Sequence, residues 1–329
     1  MKYSSIIDKT TIRCELCSHH CHISLDKFGI CGVEQNINQE LVCVVDNKIS
    51  ALNIDPVEKK PLYHFLPNSK TLSLGTVGCN FRCPFCQNWQ LSQSKNIIKE
   101  QNITPQKIIS KAKEYKIESI AYTYNEPTIF YPFAKKIGLL AKEEGIKNIF
   151  VSNGNQSEDL IEDMKEWVDA INVDLKSFDD RYYKTQLKGS LKSIKRNLIN
   201  LSKSDIWLEI TSLLIPDIND SDQEIENMAN FIKDECADFT PWHISAFHAD
   251  YKMLNTNSTS PKRLFEAKKI GQNIGLKNIY LGNIGITNST ICSNCGEVVI
   301  KRENFNTIFQ NHNRGFCKNC NTKVEGVFL

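Results

Sequence analysis

The sequence predicts an α/β protein: a parallel sheet with covering helices, flanked by small cysteine-rich segments at both ends. Three observations predict it. From residue 71 onward short β-branched runs alternate with stretches of helical period, polar residues follow successive runs, and eleven of the thirteen cysteines fall into three clusters with metal-ligand spacing. At 329 residues the chain exceeds one domain of ~150 residues, although a single α/β barrel also fills this length. The expected division is a cysteine-rich lead-in over 1–66, the α/β unit over 67–285 and a small C-terminal domain over 286–329.

The strand candidates are 71–78, 119–125, 148–153, 170–176, 206–216, 242–247 and 278–283. Between the second and third, Ile129, Phe133, Ile137 and Leu140 recur at helical spacing, with Lys135, Lys136, Lys142 and Glu143 left for the outside. Ile225, Met228, Ala229 and Ile232 mark a similar stripe. Six strand-then-helix repeats predict either an open doubly wound sheet or a barrel with most of its units. Both place chemistry at the C-terminal ends of strands. Cys79 follows the first strand, Asn125 and Glu126 end the second, Ser152, Asn153 and Gly154 end the third, and Asp174 and Lys176 end the fourth. One rim therefore gathers the polar residues.

The net charge of +2 gives no global field for nucleic acid or anionic membrane, so such a partner needs a local patch. No run of ~18 apolar residues predicts a membrane span, and the N-terminus lacks the apolar core of a signal peptide. The expectation is a cytoplasmic protein with no membrane partner, in which clustered cysteines bind metal rather than pair as disulfides.

Cys79, Cys83 and Cys86 supply three thiolates with no fourth cysteine or histidine close by in sequence, which is incomplete for structural zinc. A 4Fe-4S cubane has four irons, so three thiolates leave one open to a small molecule. This spacing, with Phe85 before the last cysteine, resembles the signature of the radical SAM superfamily. The resemblance implies a partial (β/α)6-type TIM barrel, a 4Fe-4S cluster, S-adenosylmethionine (SAM) chelated by its open iron, and an external electron donor. Reductive cleavage of SAM then gives a 5′-deoxyadenosyl radical that abstracts hydrogen from an unidentified substrate. Residues 124–127, Tyr-Asn-Glu-Pro, stand where the superfamily commonly has Gly-Gly-Glu-Pro, which implies that Glu126 receives the SAM amino group. Phe85, Asn153, Asp174 and Lys176 are the other cofactor-binding residues it implies. Asp174, Leu175 and Lys176 resemble the Asp-Leu-Lys of glycyl-radical activating enzymes, so activation of a partner protein's glycine is the alternative. Those enzymes carry an aspartate that helps bind a monovalent cation where this chain has Val151. Nearly the whole chain is similar to the radical SAM component of the AmmeMemoRadiSam system, which implies Memo-like and AMMECR1-like partner proteins. Ala246 stands where that family leads one to expect a basic residue.

Cys292, Cys295, Cys317 and Cys320 form two knuckles about a hairpin-length spacer, the pattern of a zinc ribbon. The favoured reading is a metal that holds a small fold together; the alternative is RNA or protein docking through Lys301, Arg302, Arg314, Lys318 and Lys323, interleaved with Phe305, Phe309 and Phe316. Cys14, Cys17, Cys21 and Cys31 suit zinc or an auxiliary iron–sulfur cluster. The closed set of four and a tight turn over 28–32 favour zinc, with His19, His20 and His22 either substituting for or supporting the ligands or, read blandly, solvated loop residues. His243, His248 and Tyr251, at or after the sixth strand, face the rim or simply pack. The competing reading is a non-catalytic scaffold in which all eleven clustered cysteines hold zinc. Cys43 and Cys236 stand alone and receive no role.

Overall fold

A computed structural model describes residues 3–94 and 101–328 of the chain. At its centre is an eight-stranded sheet: β1 (Ala51–Pro56), β2 (Lys70–Gly75), β3 (Ser119–Tyr122), β4 (Lys147–Ser152), β5 (Ala170–Asp174), β6 (Trp207–Leu214), β7 (Trp242–Ala246) and β8 (Ile279–Gly282). The strands lie side by side in chain order, with β2 to β8 parallel and β1 antiparallel against β2. The seven expected strands are the seven parallel ones. β1 is an addition, and its polar Asn53 and Asp55 explain why no β-branched run announces it. A doubly wound sheet reverses its order at a switch point, and this one does not. The order is that of a barrel left open between β1 and β8, which do not pair among the described residues.

Six crossover helices join the parallel strands: α1 (Pro105–Glu114), α2 (Tyr131–Glu143), α3 (Glu158–Met164), α4 (Leu191–Ser202), α5 (Asp222–Phe231) and α6 (Pro261–Ile274). Thr104, Ser157, Ser190, Ser221 and Ser260 precede five of them, and each side chain accepts a hydrogen bond from an orphan amide of the first turn. The expected apolar stripes face the sheet, with Ile129, Phe133, Ile137, Ile225, Met228, Ala229 and Ile232 all buried. Lys135 corrects the helix reading, because it is buried rather than outside. Its Nζ lies 3.0 Å from Asp163 and 2.5 Å from Glu166, where α3 and the turn after it cover the flank of α2.

Residues 57–66 plug the interior of the open barrel. Val57, Leu62, Phe65 and Leu66 pack against Ala121, Ile149 and Ala170 of β3, β4 and β5, and the two alanines leave room for them. The plug is fixed by polar bonds as well: Glu209 of β6 accepts the Tyr63 and His64 amides at 2.9 and 2.7 Å, and Asn172 of β5 donates to Pro61 O at 2.8 Å. With the lower interior filled, the upper interior at the C-terminal strand ends stays open.

A three-stranded antiparallel sheet over Ser4–Ile6, Thr11–Cys14 and His22–Ser24 leads the described chain. Another, β9 (Thr287–Ile291), β10 (Val298–Glu303) and β11 (Asn306–Gln310), closes it. Arg302 of β10 is fully buried between this ribbon and the plug. Its guanidinium lies 4.5 Å from the Tyr63 ring centre and donates to Thr290 and Tyr63 O. That corrects the basic-patch reading, because Arg302 is a seam residue and has no surface to offer RNA. No described helix is long and apolar enough to cross a membrane.

Candidate active site

The three-cysteine loop leaves β2 through two close approaches. A Cβ on Gly75 would stand 2.6 Å from Thr123 O, so only glycine lets β2 lie this near the end of β3. Asn125 uses that proximity. Its Oδ1 accepts from the Thr76 amide at 3.1 Å, and its Nδ2 donates to Thr76 Oγ1 and Gly78 O at 3.0 Å each. Gly78 has φ of 89°, and a Cβ there would meet Cys31 O at 2.8 Å, which seats the loop against the N-terminal segment. Cys79, Cys83 and Cys86 then line a cavity of about 460 Å³ above the plug.

Glu126, at the end of β3, is buried in the same cavity wall. Its Oε1 accepts from Thr128 N, Thr128 Oγ1 and Ser152 Oγ at 3.1, 2.5 and 2.8 Å, and its Oε2 accepts from Asn153 N at 2.7 Å. Burial pushes its pKa above the usual carboxylate value, and those donors pull it back. With one protein donor, Oε2 keeps lone-pair capacity for a ligand. Asn153 donates through Nδ2 to Asn80 Oδ1 at 2.7 Å, and so joins the end of β4 to the cysteine loop.

Asp174, the last residue of β5, and Lys176, just past it, form an ion pair of 2.7 Å within the cavity lining. Burial opposes the lysine's charge, but Asp174 and Cys83 outweigh it and hold its pKa above the ordinary value. Phe85 is buried, with Lys176 Nζ 5.9 Å from its ring centre. All the residues expected at the site therefore line one cavity.

Around this cavity, Asn80, Arg82 and Lys60 escaped the sequence reading, and Asn125 was read only as a strand end and a departure from glycine. Asn80, Asn125 and Arg82 hold the cysteine loop: Arg82 donates to Cys79 O and Phe81 O at 2.6 and 2.8 Å, and onward to Ile30 O. Buried Lys60 pairs with Asp55 at 2.7 Å and sits 5.0 Å from the Tyr124 ring centre. His243 lines the cavity with its Nε2 2.6 Å from Glu209. His248 instead contacts Gln87 at 3.1 Å, and Tyr251 stacks on Trp89 at 5.2 Å. Phe305 of the C-terminal ribbon also reaches the cavity. An asparagine directly after the first cysteine was the available signal for Asn80. The plug and the ribbon gave none, because they are remote in sequence.

The thiol chemistry suits an iron–sulfur ligand set. Burial pushes Cys83 up to about 12 against the pull of Lys176, and burial with neighbouring thiols pushes Cys79 up as well. Three thiolates in this wall need compensating positive charge, which bound iron supplies. Among the described residues, Cys292, Cys295, Cys317 and Cys320 alone bring their ligand atoms within 4.8 Å of one another. Gly296, with φ of 74°, turns the first knuckle of this group. Two of the three N-terminal histidines are held by the fold: His19 Nε2 lies 2.9 Å from Asn80 O, and His20 Nδ1 lies 2.8 Å from Glu15, whereas His22 is exposed.

Residues 73–232 match the radical SAM superfamily. An uncharacterized protein of Methanocaldococcus jannaschii is 36% identical over 98% of this chain and 97% of its own length. The pyruvate formate-lyase-activating enzyme of Clostridium pasteurianum is 25% identical over 54% of this chain and 77% of its own. A radical SAM methyltransferase from Sphaerobacter thermophilus shares the fold, with a TM-score of 0.52 and 16% identity over 71% of each chain. Sequence match, strand order and the convergent cysteine triplet agree, and we conclude that the chain belongs to the radical SAM superfamily and is a radical SAM enzyme.

Proposed function

We propose that Cys79, Cys83 and Cys86 hold a 4Fe-4S cluster and that the cavity beside them binds SAM for hydrogen abstraction from a substrate. When bound, the cluster and SAM supply reductive cleavage of the sulfonium bond and a 5′-deoxyadenosyl radical, with the electron drawn from an external donor. The observation that carries this reading is the convergence of three thiols and the buried Glu126 carboxylate on one cavity. Glu126 Oε2 receives the SAM amino group, with its orientation set by Asn153 N and by the three donors on Oε1. Asn153 and Asn80 keep the wall and the cysteine loop in register. Phe85, Asp174 and Lys176 add a polar and aromatic part to the same lining. The plug closes the cavity floor against water, which protects reactive species from solvent.

The C-terminal cysteines hold zinc in this proposal. Tetrahedral zinc with Zn–S near 2.3 Å sets its sulfurs ~3.8 Å apart. Cys292 and Cys320 stand 3.5 Å apart, and Cys295 and Cys317 stand 3.8 Å apart.

A second reading, activation of a glycine in a partner protein, is favoured by the match to an enzyme named for activating pyruvate formate-lyase. Memo-like and AMMECR1-like proteins are the other partners to test. The deciding experiment is anaerobic reconstitution with iron and sulfide, reduction, and assay for 5′-deoxyadenosine and methionine. The wild type is expected to form both and Cys83→Ala neither. Reductive SAM cleavage persisting in Cys83→Ala would sink the proposal.

A further inference from the structure

The N-terminal quartet of cysteines is arranged differently from the C-terminal one. Cys14, Cys17, Cys21 and Cys31 line one small cavity together with Leu16, Ile129 and Glu34. Two turns present the thiols: His20 N donates to Cys17 O at 3.0 Å, and Gly32 N donates to Gly29 O at 3.0 Å, with Gly32 at φ of 81°. The expected turn over 28–32 is thus real. The zinc spacing is not.

Their sulfurs do not gather within 4.8 Å of one another as the C-terminal four do, although every one of these cysteines is described. A single zinc needs that closeness. A cubane does not, because each thiolate binds a different iron and the sulfurs stand roughly 6 Å apart. Cys79, Cys83 and Cys86 share the wider arrangement. Glu34 also lines this cavity; it is buried, and among the described residues its Oε1 has no hydrogen-bond partner. Buried polar atoms in folded proteins are satisfied by something.

We infer that Cys14, Cys17, Cys21 and Cys31 ligate a 4Fe-4S cluster rather than zinc. With four thiolates for four irons, this cluster is coordinatively complete and has no position for SAM. It abuts the three-cysteine loop. His19 reaches Asn80 O, and Arg82 links Cys79 O to Ile30 O beside Cys31. Asn80 is fully buried; its Oδ1 lies 3.9 Å from Cys79 Sγ, and its Nδ2, otherwise unpartnered, lies toward Cys17.

The test is metal and sulfide analysis of the full chain after anaerobic reconstitution, with EPR and Mössbauer spectra. The wild type is expected to hold about eight irons and about eight sulfides in two cubanes, with about one zinc. A Cys79→Ala/Cys83→Ala/Cys86→Ala variant is expected to keep about four irons and a reducible cluster whose spectrum ignores SAM. A Cys21→Ala/Cys31→Ala variant is expected to lose that cluster and keep the SAM-responsive one. Should a variant fail to fold, the wild type alone still decides, since SAM must perturb one of two clusters and leave the other unchanged. A colourless triple variant holding about two zincs would overturn the inference, yet leave the proposed function standing. Iron retained in the triple variant, with no SAM cleavage by the wild type, would do the reverse.

Discussion

Glu126 shows how much one side chain can be asked to do. Four protein donors fix its carboxylate, and the proposed SAM contact adds another at Oε2. Glu126→Gln removes the charge and places an amide donor where Asn153 N already donates. A charge-assisted hydrogen bond contributes about 1.5–3 kcal/mol, so SAM affinity is expected to fall roughly 10- to 100-fold while iron content stays constant. Calorimetric titration of the reconstituted protein checks this, and an unchanged affinity would remove Glu126 from the SAM site. Glu126 was legible because it follows a strand and precedes a proline. Asn125, its neighbour, was legible as a polar strand end and as a departure from glycine. Its role in tying Thr76 and Gly78 depends on β2 and β3 lying side by side, which no local pattern states.

At the scale of the element, the strand-and-helix alternation was readable because β-branched runs and helical stripes differ in period. Serine and threonine caps reinforce it, since each satisfies amides that the helix cannot. Lys135 was misplaced for a definite reason. A single-helix periodicity knows one buried face, and α2 has a second, against α3 and the turn containing Glu166. The same packing makes Gly138 of α2 irreplaceable. Alanine is the better helix former by about 1 kcal/mol, but a Cβ on Gly138 would run into the Trp167 ring. Trp167 is buried and cannot simply move aside, because its Nε1 donates to Tyr131 Oη at 2.9 Å. Gly138→Ala is therefore expected to destabilise the chain by about 1–3 kcal/mol, read from the urea midpoint. A midpoint equal to or above that of the wild type would show that α2 and Trp167 separate easily.

On the scale of the whole molecule, the plug joins the barrel to the C-terminal ribbon through a buried polar chain. His64 Nδ1 lies 2.7 Å from Glu325 O, a pure acceptor, so Nδ1 carries the proton and donates. His64 Nε2 then accepts from Tyr280 Oη at 2.6 Å, and Tyr280 Oη lies 2.8 Å from Thr290 Oγ1. This arrangement requires a neutral ring. Burial holds the His64 pKa down at about 4, with Arg302 and His243 acting in the same direction and Glu209 opposing them. The unfolded chain binds that proton near 6.5, so between pH 6.5 and 4 the unfolded state holds more protons. Stability from this group is complete above pH 6.5 and is lost as pH falls toward 4. Urea midpoints at pH 7 and pH 5 should drop more for the wild type than for His64→Gln. Equal drops would place the acid sensitivity elsewhere.

The sequence by itself determined the repeating α/β order, the rim that carries the polar residues, and the cysteine triplet with no fourth cysteine or histidine close by. Each is written in short-range terms: a period, a strand end or a loop spacing. Tertiary structure decided the rest. It turned an ambiguous parallel sheet into an open barrel, because strand order depends on which neighbours pair. It filled the interior with residues 57–66, buried Arg302 in a seam, and set two cysteine quartets of like composition at different spacings. Spacing along a chain names the ligands a metal can use; the distances between their sulfurs, set by packing, select the metal.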